Sequence, residues 1–128
     1  MKPTKFSMIL GLLLFLAVVV SPGITAAGDA AVTIHGYVLD SACAFTKHLK
    51  KPVSPACAVA CARAGSPLMI LADDGKLYLP ISTSTPARSE NARLMKYAGK
   101  RVTVSGTVYS QGGSLGLVIQ HIQAASGE

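Results

Sequence analysis

Two stretches seventy positions apart carry one seven-residue pattern, Val32-Thr33-Ile34-His35-Gly36-Tyr37-Val38 and Val102-Thr103-Val104-Ser105-Gly106-Thr107-Val108. In each, apolar and polar residues alternate, which puts the apolar ones on one face of a strand. A glycine stands fifth in both, where a strand can bend sharply or bulge. Two strands coiled in this way suggest a small closed barrel, with Val102, Val104 and Val108 pointing into one core.

The rest of the chain supplies partners for them. Leu68 to Ala72 and Leu77 to Ile81 flank Asp73-Asp74-Gly75-Lys76, whose Asp-Gly pair tolerates positive φ, so this is a hairpin. Pro80 cannot donate to a ladder, which puts its strand at an edge or ends it there. Leu115 to Ile122 form a last strand, in a second hairpin with the Val102 strand across Gln111-Gly112-Gly113-Ser114. Ser54-Pro55 opens a short helix that Gly65 closes, and Thr85-Pro86 opens another that Gly99 closes. On the second, Ala92, Leu94, Met95 and Ala98 form a stripe able to plug a barrel end. The expected fold is mainly β: a small OB-like five-stranded Greek-key barrel, with a short Cys-containing helix inserted after strand 1 and a second helix before strand 4.

Lys2 and Lys5, an apolar run from Met8 to Val20, and the small residues Thr25, Ala26 and Ala27 have the order of a secretory signal peptide and its cleavage site. The run is about thirteen residues, short of the roughly twenty that span a bilayer. The expected division is a signal peptide over residues 1–27 and one barrel domain over 28–128, exported to the periplasm or secreted, with no stable membrane insertion after cleavage. The first cysteine is Cys43, far from the cleavage site, which argues against an acylated lipoprotein. Beyond the leader, ten basic and six acidic residues leave a charge of about +4, spread along the chain except for Lys47, Lys50 and Lys51. Export, the absence of Trp and the lack of a basic-aromatic stripe argue against nucleic-acid binding.

All three cysteines and one of three histidines fall between Cys43 and Cys61. Cys57 and Cys61 are four apart in the expected helix, so their sulfurs share a side one turn apart. Their Cβ atoms, roughly 5–6 Å apart, are too distant for a disulfide, which needs about 3.8 Å. One metal ion can take both sulfurs at about 2.3 Å each. Cys43, at the end of the first strand, and His48, in the loop after it, would complete a site of three cysteines and one histidine, suited to zinc, cuprous copper or another thiophilic ion. The alternative is a disulfide from Cys43 to Cys57 or Cys61 that staples the helix to the barrel of an envelope interaction domain and leaves one thiol over. Both readings stay open on the sequence.

Gly36 to Asp40-Ser41-Ala42-Cys43, then His48, Cys57, Cys61 and Gly65, then Asp74-Gly75-Lys76-Leu77-Tyr78-Leu79, then Ala98-Gly99-Lys100-Arg101-Val102-Thr103-Val104-Ser105-Gly106 resembles a group of small exported bacterial proteins of unassigned function. The resemblance covers nearly all of the chain after the leader. It implies an OB-like exported protein with Asp40, Cys43, His48, Cys57 and Cys61 at characteristic positions, and it implies no activity.

Other chemistries lack their motifs. No Cys-x-x-Cys or Cys-x-x-Cys-His occurs, so thioredoxin-type exchange and covalent haem attachment are unsupported. Asp73-Asp74-Gly75 lacks the further oxygen ligands of a calcium loop. Asp40 reads as a turn-capping residue, and His35 and His121 as strand residues. The expected function is therefore a binding module and not an enzyme, whose partner is a metal ion or an envelope protein.

Overall fold

A computed structural model describes residues 30–52 and 54–126. The expected signal peptide lies outside the described residues. Strands β1 (Ala30–Asp40), β2 (Leu68–Ala72), β3 (Leu77–Pro80), β4 (Arg101–Gln111) and β5 (Ser114–Ala124) close into a barrel in the order β1-β2-β3-β5-β4. Neighbours are antiparallel except β3 and β5, which run parallel from Tyr78 opposite Leu115 to Pro80 opposite Leu117. The chain is thus mainly β, with short helices between strands. Among the described residues no helix is long and apolar enough to cross a membrane.

The twin strands pair with each other, Ile34 opposite Val104 and Gly36 opposite Val102. Their inward residues form the centre of the core: Val38, Ile70, Val102, Val104 and Leu117 have no exposed surface, Ile34 is buried, and Val108 packs against them half-buried. Both glycines stand where the barrel turns. β1 leaves β4 and takes up β2 around Gly36, and a bulge in the β4–β5 ladder falls at Ser105/Gly106, where Gln120 is the extra residue on β5. A Cβ on Gly36 would lie 2.1 Å from the Leu71 carbonyl oxygen, and one on Gly106 would lie 2.1 Å from that of Val118. No side chain fits at that distance, so the close approach of neighbouring strands depends on glycine.

Helix α2 (Pro55–Arg63) follows its sequence signals. Ser54 Oγ accepts from the Cys57 N–H at 3.1 Å, Pro55 occupies the first turn, and Gly65 follows the end with φ 102°. Ala58 and Ala62 bury themselves in the main core beside Leu94 and Ala98.

Two expectations are corrected. The helix expected from Thr85-Pro86 begins five residues later, as α3 (Asn91–Leu94) continued by one 3-10 turn (Met95–Tyr97). Before it, Ser84 Oγ bonds Ser82 Oγ and donates to the Pro86 carbonyl, and Ser89 Oγ accepts from the Asn91 N–H, local bonds that compete with a helical ladder. Cys43 is also not at a strand end. A further helix, α1 (Ser41–Thr46), starts directly after β1, because Asp40 caps it with its carboxylate. Ala44 and Leu49, from α1 and the turn after it, pack with Leu39 and Leu71 in a second small core.

Candidate metal centre

Three sets of hydrogen bonds position α1 and α2. Asp40 Oδ1 accepts the Cys43 N–H at 2.9 Å. The start of α1 is tied to the segment after α2, where the Ser41 N–H reaches the Pro67 carbonyl at 2.8 Å and Ser41 Oγ meets Ser66 Oγ at 3.2 Å. Asn91 clamps the far end: its Nδ2 donates to the carbonyls of Ala62 (3.3 Å) and Ser66 (2.9 Å), while its Oδ1 accepts the Leu68 N–H at 2.8 Å. One side chain therefore fixes the end of α2 to the start of β2. Sequence reasoning missed Asn91, whose three partners lie 23 to 29 positions away.

This placement brings the sulfurs of Cys43, Cys57 and Cys61 together, all within 4.8 Å of one another. Cys43 is buried and the two cysteines of α2 are half-buried, and all three are free thiols. Two sulfurs bound to one ion at about 2.3 Å each stand roughly 3.8–4.0 Å apart. The cluster therefore could hold a metal ion after small side-chain adjustments.

The local field favours a cation. Burial pushes the Cys43 thiol up to about 11; its hydrogen bond to the Asp40 carboxylate and that group's negative charge add to the rise, while Lys47 opposes it. Burial likewise raises the Cys61 thiol, followed by the charges of Asp40 and Cys57. Asp40 is only 2% exposed. A buried carboxylate disfavours the bare thiolates of Cys43 and Cys61, and a positive ion among the sulfurs relieves this.

His48 does not join the group. It is exposed, has φ 49°, and lines a separate cavity with Tyr37, Leu71 and Asp73. The end of α1 explains this. The His48 N–H bonds the Phe45 carbonyl at 3.4 Å and the Leu49 N–H bonds that of Ala44 at 3.2 Å, which is a Schellman motif with His48 as its left-handed residue. The motif turns Leu49 inward onto Ala44 and sends His48 out. The cluster in the structure therefore contains Cys43, Cys57 and Cys61 of the expected set, and His48 lies outside it. Asp40 stands beside them and acts on Cys43 and Cys61 through its charge. His35 and His121, read as strand residues, lie on β1 and β5, where His35 Nδ1 meets Thr103 Oγ1 at 3.1 Å.

Compared with known proteins, the chain matches no family model, no curated protein and no solved structure.

Proposed function

We propose that this protein is an exported, non-enzymatic binding module that holds one thiophilic metal ion, zinc or cuprous copper, through Cys43, Cys57 and Cys61, on a barrel of the OB type. The observation that carries the reading is the convergence of three sulfurs from two helices within 4.8 Å. Soft sulfur ligands select zinc and cuprous copper over hard cations. The OB assignment is supported by the barrel order β1-β2-β3-β5-β4 and by the helix between β3 and β4. Export rests on the basic and apolar start of the chain, and bacterial origin on the resemblance drawn from the cysteine pattern.

A second reading is supported by the same closeness. On oxidation Cys43 would pair with Cys57 or Cys61, and the stapled domain would dock an envelope protein. Metal analysis and thiol titration of the protein as exported, with no reductant added, decide between them. The metal reading expects about one zinc or cuprous ion per chain, with proton release on binding. A Cys43 disulfide in the exported protein, with one titratable thiol and no metal, would overturn it.

A further inference from the structure

The thiols use one side of α2, and a second feature lies on the other. Val59 and Arg63, again one turn apart, stand roughly 160–240° around the helix from Cys57 and Cys61. They border a cleft of about 810 Å³ between α2, the α3 segment and β5.

The cleft has an apolar floor and a cationic rim. Val59, Met95, Tyr97 and Ile122 are half-buried and pack onto the main core from outside. Arg63, Arg93 and Lys96 stand exposed around them, and among the described residues no carboxylate lines the cleft. Glu90 lies 3.7 Å from Arg93, but neither Arg63 nor Lys96 has an ion-pair partner among the described residues. Lys96 Nζ sits 5.0 Å above the Tyr97 ring, joining rim to floor. The back wall is the β5 bulge. Arg93 donates to its freed carbonyls, Ile119 at 2.8 Å and Gln120 at 3.1 Å, and Gln120 and His121 line the cleft. Sequence reading finds no such cluster, because Arg63 on α2 lies far along the chain from Arg93 and Lys96.

We propose that this cleft binds a small organic anion with an apolar body, of the class of an aromatic sulfonate or a medium-chain carboxylate. A bare inorganic anion would gain nothing from the floor, and a neutral hydrocarbon nothing from the rim. The size lies within the range of small-molecule sites, about 300–1,000 Å³. The molecule contains its own comparison: a groove lined by Phe45, Met69, Leu79 and Leu115 is more apolar, and Lys76 at its edge is paired with Asp74 at 2.7 Å.

The test is a titration of the isotopically labelled full chain with anilinonaphthalene sulfonate and with decanoate, followed by amide NMR. Saturable shifts are expected at residues 59–63, 95–97 and 120–122. Reversing two rim charges together, Arg63→Glu with Lys96→Glu, should weaken binding about tenfold or more, and added salt should weaken it too. The equal charge change at Lys50→Glu with Lys51→Glu should alter it by less than about twofold. All four side chains are exposed, so both pairs should fold, which circular dichroism checks. Four results would overturn the proposal: no saturable shift, shifts confined to the Phe45 groove, equal weakening by both charge pairs, or equal affinity for decanol. Binding to anionic vesicles without binding to either soluble probe would do the same.

Discussion

Asp40 receives the backbone N–H of Cys43 at 2.9 Å while almost fully buried, so the carboxylate that starts α1 also adds to the rise that burial imposes on the Cys43 and Cys61 thiols. Two substitutions separate these roles. Asp40→Ala removes the cap and should cost about 1–2 kcal/mol. Asp40→Asn keeps an oxygen acceptor at the cap and should cost under about 1 kcal/mol. Because the Asp40 charge raises both Cys43 and Cys61, the Asn variant should ionise those two thiols at lower pH. Denaturant melts and thiolate ultraviolet absorbance against pH measure the two effects. An unchanged thiol titration in Asp40→Asn would refute the coupling.

The same shifts predict how the metal-free fold responds to alkali. The folded Cys43 thiol titrates at about 11 against an ordinary 9.0, and Cys61 moves in the same direction. Between those values the unfolded chain releases protons that the folded chain keeps, so stability falls as pH rises. Below the ordinary thiol value both states are protonated, and these groups give no pH dependence. The melting temperature of reduced, metal-free protein should therefore drop from about pH 9 to pH 11 beyond the loss shown by Cys43→Ala, and a bound thiophilic ion should remove the difference.

The barrel is legible in the sequence because its signals are local. Period-two alternation around Gly36 and Gly106, the Asp-Gly turn and the caps at Ser54 and Gly65 act within a few residues, and strands and helix follow them. The spacing of Cys57 and Cys61 is local too, and so their shared side is readable. What stays hidden depends on position in space. Asp40 reads as a cap, but the short helix it starts lacks the length for a 3.6-residue pattern, so the sequence points to a strand end for Cys43. His48 reads as a ligand because no glycine marks the left-handed position that it fills. Asn91 and the cationic cleft come together only when segments far apart in the chain meet.

The barrel junctions should be intolerant of small changes. Val104 is fully buried opposite Ile34, so Val104→Ala should cost roughly 2 kcal/mol through lost burial and a cavity. Gly106→Ala adds a methyl where only 2.1 Å separates it from the Val118 carbonyl oxygen, and the β4–β5 bulge must open to admit it. That change should cost at least about 2 kcal/mol although it removes no contact. Denaturant unfolding of both variants checks the order, and a neutral Gly106→Ala would contradict the close approach of the two strands.

His48 gives the sharpest separation between a ligand and a structural position. As a fourth ligand, its loss would weaken metal uptake. The structure gives it another place, exposed and left-handed at φ 49°, where the Schellman turn ends α1. A β-carbon is unfavourable there by about 1 kcal/mol or more, and glycine relieves it at an entropic cost of roughly 0.5–1 kcal/mol in the unfolded chain. His48→Gly should therefore hold stability or raise it by up to about 1 kcal/mol. It should also leave metal stoichiometry and affinity unchanged, whereas Cys57→Ala or Cys61→Ala should nearly abolish uptake, since each removes one of three sulfurs. Competition with a chelator, measured beside a thermal melt, reads both quantities from one preparation. A large loss of affinity in His48→Gly, at unchanged stability, would show that the loop swings the imidazole onto the metal.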